Sequence, residues 1–267
     1  MPMKFLVAQV RAVRLFVHIF YGLALACVYP SFGIARRRST MQQWSTKLLQ
    51  ILNVQLHCQG QHASPGAVGQ LLLANHISWL DVFVISATVP ARFVAKSEVG
   101  NWPLFGVLVR RTGTLFIRRA YRRDTARINQ ALGNCLLGGE DVVVFPQGTS
   151  TDGTQPVHFH SALVQGAIDV GAEVRPVALA YHDGQGEPLH DVAFTGEMTF
   201  AQSLWKILCV PRINASTVYL AELHGKELTR REATLGAQGA INAVLSSARR
   251  LQALPLEPST EAELLQA

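Results

Sequence analysis

The chain has 267 residues, enough to bury a full core, and carries 49% apolar against only 16% charged residues, with a mean hydropathy of +0.19; this leans away from a freely soluble protein and towards membrane contact. The excess of 24 Lys and Arg over 18 Asp and Glu favours anionic partners, whether phospholipid headgroups, phosphorylated substrates or nucleic acid. Cys27, Cys58, Cys135 and Cys209 are widely spaced without metal-ligand spacing, which excludes a structural zinc and suits a reduced compartment, the thiols being expected as small core hydrophobes rather than nucleophiles.

The first element in chain order is an apolar run from Leu15 to Ala35, 21 residues without a formal charge, between Arg11 and Arg14 on one side and Arg36, Arg37 and Arg38 on the other. That length suffices to span a bilayer as a helix. Gly22, Pro30 and Gly33 suit a break into a shallow hairpin equally well, and basic residues on both flanks give no positive-inside asymmetry. An anchor is expected, spanning or re-entrant. A cleaved signal peptide is the competing reading, because Ala24-Leu25-Ala26 has the small-x-small form of a cleavage site. Against it, the fourteen preceding residues are long for a signal n-region, and the run continues past the cut.

Met41, Trp44, Leu48, Ile51 and Leu52 then fall at helical spacing, so Thr40 to Leu52 is an amphipathic helix whose stripe meets the core or, beside an anchor, the bilayer. Val54, Leu56 and Cys58 alternate as in a strand, Ser64-Pro65-Gly66 marks a turn, and Leu71 to Ala74 reads as a buried strand. Short apolar runs follow at Leu115 to Ile117, Val142 to Phe145, Val174 to Ala180 and Val218 to Leu223, separated by stretches able to form helices. The alternation predicts an α/β fold with a mostly parallel central sheet flanked by helices. Residues 229 to 252 close it as a helix. The organisation is therefore an anchor and amphipathic helix over 1–52, one catalytic domain over 53–254 and a loose tail over 255–267. No repeat, G-x-G-x-x-G or P-loop is present.

Chemistry concentrates at strand ends. Ala74-Asn75-His76-Ile77-Ser78-Trp79-Leu80-Asp81 joins a buried strand to an apolar helix, and loops at the carboxyl ends of such strands are where α/β enzymes place reactive groups. His76 can act as a base near neutral pH, with Asp81 one turn onward accepting its other ring proton. Ser78-x-x-Asp81 is equally a capping box. Phe145-Pro146-Gln147-Gly148-Thr149-Ser150 again follows an apolar strand and can bring backbone donors close to a ligand, as a plain turn would also look. Gly113-Thr114-Leu115-Phe116-Ile117-Arg118-Arg119 lies within Arg92 to Arg127, a stretch holding nine basic and two acidic residues. Arginines at the end of a short strand are well placed to fork onto phosphate. That stretch has no interleaved aromatics of the kind a nucleic-acid binder uses, so no nucleic-acid partner is expected.

In order and spacing these segments resemble the lysophosphatidic acid and glycerol-phosphate acyltransferase family, with its motifs N-H-x-x-x-x-D, G-x-x-F-I-x-R, F-P-E-G-T and a hydrophobic-Pro block. Asn75, His76 and Asp81 match the first, and Gly113, Phe116 and Arg119 the second. Gln147, Gly148 and Thr149 fall in the third, and Val174-Arg175-Pro176-Val177 looks like the fourth. The resemblance covers roughly residues 50 to 225. It implies a membrane-bound enzyme, on the cytoplasmic face of the inner membrane, that moves a fatty acyl group from acyl-CoA or acyl carrier protein onto a lysophospholipid hydroxyl, 1-acyl-glycerol-3-phosphate first. His76 would deprotonate the acceptor, Asp81 would support the imidazolium, and Arg119 with Arg118 would hold the acceptor phosphate. No acyl-enzyme, metal or prosthetic group is implied, and membrane lipids are the surroundings.

Two departures bear on this. Gln147 stands where the family has Glu, keeping the length and one acceptor oxygen but not the charge. Ser150 and Phe159-His160 replace the family's Arg and Phe-Lys, and the Gly-Thr-Ser-Thr-Asp-Gly stretch looks more like bacterial branches that include acyltransferases acting on lyso-ornithine lipids. That acceptor is the alternative within the enzyme class. A silent lipid-binding relative is the alternative outside it, and the retention of both His76 and Asp81 argues against it.

Overall fold

The structure, a computed structural model, describes residues 2–60, 68–102, 104–118 and 122–253. The expected turn at Ser64-Pro65-Gly66, Arg119 and the tail over 255–267 lie outside these residues. A seven-stranded sheet forms the centre: β1 (Val54–Gln59), β2 (Leu71–Ala74), β3 (Arg92–Lys96), β4 (Leu115–Ile117), β5 (Val142–Val144), β6 (Val174–His182) and β7 (Ile213–Tyr219), in the order β1-β7-β6-β2-β5-β3-β4. All neighbours are parallel except β6 and β7, which is the mostly parallel sheet expected of the alternating pattern.

The sheet is covered on both faces, and the two-residue period of β2 assigns them. Leu72 and Ala74 join a cluster with α1 (Pro2–Val28), α2 (Ile34–Ile51), α3 (Leu80–Thr88) and α7 (Phe200–Cys209). Leu71 and Leu73 face the opposite layer, where Leu132 and Leu136 of α5 (Arg122–Leu137), Ala167 of α6 (Gln165–Asp169) and a stripe of α8 (Arg230–Ala253) lie. That stripe is Ala233, Ala237, Ile241 and Leu245, one residue per helical turn. A short helix α4 (Phe105–Arg111) precedes β4.

The expected N-terminal apolar helix is present, with other bounds than the charge-free run. Helix α1 begins well before the charge-free run, at Pro2, and takes in both Arg11 and Arg14. It passes through Gly22, where Trp44 packs so closely that a Cβ would lie 2.7 Å from the indole nitrogen. The break comes at the 3-10 turn Tyr29–Ser31, where Pro30 sits, and α2 starts after Gly33. Ala8, Leu15 and Ile19 bury one side of α1 in the sheet's outer core, while Val13, Phe16, Val17, Phe20 and Tyr21 remain exposed on the other. The helix is long and apolar enough to cross a membrane over Phe5–Ser31, yet along one face it is part of the folded domain. Of the expected stripe, Leu48 and Ile51 of α2 and Leu52 just after it are buried in the core, joined by Leu49, while Met41 and Trp44 line an apolar cavity. Two thiols correct their expectation: Cys27 and Cys58 are exposed, one on α1 and one on the edge strand β1.

Candidate active site

Strands β2 and β5 are parallel neighbours, with Leu73 opposite Val144. The loops that leave their carboxyl ends therefore emerge side by side, which brings together two motifs that are seventy residues apart in sequence. The first loop carries His76, the second Gln147.

His76 Nδ1 lies 2.8 Å from Asp81 Oδ2. A carboxylate only accepts, so Nδ1 carries the proton and Nε2 keeps its lone pair. The imidazole side chain is 22% exposed and the carboxylate 0%, a reactive tip over a dry support. The same Oδ2 accepts the backbone N–H groups of Ile77 (2.7 Å) and Ser78 (3.0 Å), and Tyr181 donates its hydroxyl to Oδ1 at 2.6 Å. The capping box is not formed, since α3 has its N-cap at Trp79 without a side-chain bond, but the carboxylate that holds the imidazole also ties down the turn leading into α3. The ring of His76 stacks on Phe145, with centroids 4.2 Å apart and planes 18° apart, which limits its rotation.

The backbone of the loop is fixed from both sides. Asn75, buried, donates from its amide to Leu179 O at 2.9 Å and accepts Leu179 N–H at 2.7 Å, fastening the end of β2 to β6. Gln147 Oε1 accepts the His76 N–H at 2.7 Å. The Thr151 N–H is donated back to His76 O at 2.9 Å. Gln147 can therefore replace a carboxylate in this position, since the contact needs one acceptor oxygen and no charge, and its amide nitrogen reaches Thr151 Oγ1 at 3.5 Å. Gly148 closes the turn with its N–H on Phe145 O, and Thr149 follows it in the same turn. Ser150, where a phosphate-binding arginine was the comparison, donates its hydroxyl to Phe194 O.

The second motif is placed elsewhere. Gly113 sits at φ +82°, in the turn between α4 and β4, and a Cβ there would come within 2.8 Å of the Arg92 guanidinium. Its requirement is thus conformational. Arg118 forks onto Asp124 through Nε (2.8 Å) and Nη2 (3.1 Å), and its N–H also reaches that carboxylate. The pair fastens the start of α5, and the guanidinium holds the Asp124 carboxyl below the usual range. Arg175 of the fourth motif is buried and donates to Gln70 Oε1 and Leu220 O, both at 2.9 Å, a crosslink between strands.

An apolar cavity opens beside the site, lined by Trp79, Phe83, Phe93, Trp102, Phe105 and Phe200 among others. Phe93 lies 6.2 Å from Phe145, one ring layer from His76. The aromatics continue away from the site, with Trp79 next to Phe83, Phe83 next to Trp44, and Trp44 stacked on His18 of α1. Phe200 contacts Trp79, Trp102 and Phe105. Neither this lining nor Tyr181 is legible in the sequence; the strand expected at Val174 to Ala180 runs on to His182, so the tyrosine lies one residue beyond its expected end.

Comparison with known proteins adds the following. The family model described as Acyltransferase matches residues 55–180. The chain is 35% identical to a 1-acyl-sn-glycerol-3-phosphate acyltransferase of Neisseria gonorrhoeae over 174 residues, 65% of this chain and 68% of that one. It is 31% identical to a lyso-ornithine lipid O-acyltransferase of Pseudomonas aeruginosa over 242 residues, 88% of this chain and 92% of that one. The crystal structure of the 1-acyl-sn-glycerophosphate (LPA) acyltransferase PlsC from Thermotoga maritima superposes with a TM-score of 0.67 at 20% identity, over 96% of this chain and 99% of that one.

Proposed function

The chain belongs to the acyltransferase family of lysolipid O-acyltransferases, and from that premise we propose that it transfers a fatty acyl group from acyl-CoA or acyl carrier protein to the free hydroxyl of 1-acyl-glycerol-3-phosphate, giving phosphatidic acid. The observation that carries the reading is the His76–Asp81 pair at 2.8 Å, beside a cavity walled by aromatic rings. The acceptor oxygen attacks the thioester carbon as Nε2 of His76 takes its proton. Asp81 stabilises the imidazolium through Nδ1–H. When the tetrahedral intermediate collapses, the carbon–sulfur bond breaks and His76 returns the proton to the departing thiolate. The cavity fits the acyl chain of the donor, and a positioned base with two bound substrates suffices for direct transfer.

The enzyme is membrane-associated. We place it on the cytoplasmic face, where soluble thioester donors are at hand, with the exposed apolar side of α1 turned to lipid. A second reading of the acceptor, lyso-ornithine lipid, draws on the likeness to the Pseudomonas aeruginosa protein over nearly the whole of both chains and on the fork of Arg118 onto Asp124. The test is an acceptor screen on membranes containing the protein, comparing 1-acyl-glycerol-3-phosphate with lyso-ornithine lipid, each with wild type and His76→Ala. Loss of the base is expected to cost ~10²–10⁴-fold in rate. More than half of wild-type turnover in His76→Ala would sink the mechanism, and turnover of lyso-ornithine lipid alone would move the acceptor to the second reading.

A further inference from the structure

We propose that Tyr181 is a positioning residue for acyl transfer, the third member of a buried relay in which its hydroxyl holds the free oxygen of Asp81 and so sets both the orientation and the basicity of His76. The inference rests on the reading of His76 as the general base and extends it to a residue outside the family-like motifs.

Geometry carries it. Asp81 Oδ2 is filled by three donors, His76 Nδ1 and the N–H groups of Ile77 and Ser78. Oδ1 receives the Tyr181 hydroxyl at 2.6 Å, the shortest of the four contacts. Tyr181 stands on β6, a rigid strand next to β2, and its side chain is buried in the same apolar cluster as Leu72 and Leu179. A phenol within hydrogen-bond reach of a buried carboxylate has one productive state, protonated and donating. Burial, and then the adjacent Asp81 charge, push this phenol well above its ordinary range, so it stays a donor throughout the range in which histidine titrates. A donor on Oδ1 draws negative charge away from Oδ2, and it opposes transfer of the imidazolium proton to Asp81. The relay thus tempers how strongly Asp81 stabilises the charged imidazole.

His182 on the same strand, His190 beyond it and Asp152 from the loop after β5 share with Tyr181 the lining of a small cavity. On β7, Ala215 faces Tyr181 in register and its neighbours Asn214 and Ser216 are neutral. In α3, Asp81 is the one charged residue.

The test uses the detergent-solubilised full chain. Carbethoxylation of histidines by diethylpyrocarbonate, followed by peptide mass spectrometry across pH, gives the inflection of His76 without any choice of acceptor, with His182 and His190 as internal references. In Tyr181→Phe the His76 inflection is expected to move to higher pH, with the two references unmoved. Replacement of Tyr181 by 3-fluorotyrosine, a stronger donor of the same shape, is expected to move it the other way, and this arm stands even if the phenylalanine variant folds poorly. Turnover with palmitoyl-CoA and either lysolipid should show kcat lowered by about tenfold in Tyr181→Phe, with KM nearly unchanged. A His76 inflection that ignores both substitutions, or moves together with the references, overturns the proposal. An active His76→Ala would overturn the general-base reading instead, so the two failures are distinguishable.

Discussion

At the residue scale the site is governed by how many donors one carboxylate must satisfy. Asp81 accepts four hydrogen bonds in a fully buried position. Asp81→Asn keeps the shape, and its amide can face the Tyr181 hydroxyl while its oxygen faces the N–H groups now on Oδ2, but the negative charge is gone. The imidazole then loses the charge that supports its protonated form, and the turn before α3 is held by a neutral acceptor, weaker than a carboxylate. Turnover is expected to fall by ~10²-fold or more, and the melting temperature to fall with it. A stability loss with unchanged activity per folded molecule would show that Asp81 only caps the turn. Gln147 makes a different demand, one acceptor for the His76 N–H. Gln147→Glu should therefore fold and retain activity, whereas Gln147→Ala leaves that donor unpaired at a cost of ~1–3 kcal/mol. Thermal melts of the two variants, read beside their turnover, check this. Much of this site was legible in sequence, because His76, Asp81 and Gln147 lie in short motifs that follow apolar strands. Tyr181 was not, because its partner is a hundred residues away and a lone tyrosine at a strand end has no local signature.

At the scale of elements, the sequence shows an element where its own residues pattern it, and hides one where neighbours do. Strands β2 and β5 are nearly continuous apolar runs because both faces are covered. The interior of β7 carries Asn214, Ser216 and Thr217, so the apolar run after it, Val218 to Leu223, misplaces the strand, which spans Ile213–Tyr219. Strand β3 was missed because it opens on Arg92 and closes on Lys96, and Arg92 is accommodated by pairing with Glu140. Arg11 gives the sharpest contrast, since as a flanking charge it marks the edge of an apolar run. In the fold it is buried, and its guanidinium donates to Leu208 O (3.1 Å), Val210 O (2.5 Å) and Pro211 O (3.0 Å), capping the carboxyl end of α7, where cations are favoured. Helix α7 in turn holds Trp79 through Ser203 at 3.0 Å and presents Phe200 to the cavity. Arg11→Ala uncaps those carbonyls in a dry setting, at about 3 kcal/mol. On the usual scaling for a chain near this size that lowers Tm by about 6–12 °C. Arg11→Lys should recover only part, having a single point of donation in place of a fork. A calorimetric scan of the three proteins decides it, and an unchanged Tm in Arg11→Ala would mean that water replaces the guanidinium at no cost.

At the scale of the whole molecule, membrane attachment and catalysis share one body. Helix α1 packs on α7, α4 and α2, so deleting residues 1–38 would do more than remove an anchor. It would strip the Arg11 cap and uncover apolar surface that α1 now buries, so a loss of activity in such a truncation says nothing about lipid binding. Substitution on the outer face of α1 separates the two. Phe16 and Phe20 are 59% and 47% exposed and lie against each other at 4.5 Å, one helical turn apart. They make few commitments to the fold. If this face enters the lipid, each half-exposed ring contributes ~0.75–1.5 kcal/mol on insertion, half of what full burial of such a side chain brings. The pair together is then worth about 1.5–3 kcal/mol, or about one to two decades of partitioning. The double variant Phe16→Ser with Phe20→Ser is expected to lose that much binding to phospholipid vesicles in a flotation assay, while its melting temperature and its activity on detergent-dispersed lysolipid stay near wild type. Arg14 on the helix, with Arg36 and Lys47 on α2 beside it, adds attraction to anionic lipid that salt weakens. Residual binding of the double variant should accordingly respond more strongly to salt than that of wild type. Undiminished flotation at high salt would show that another surface carries the attachment and that the exposed phenylalanines do not enter the bilayer.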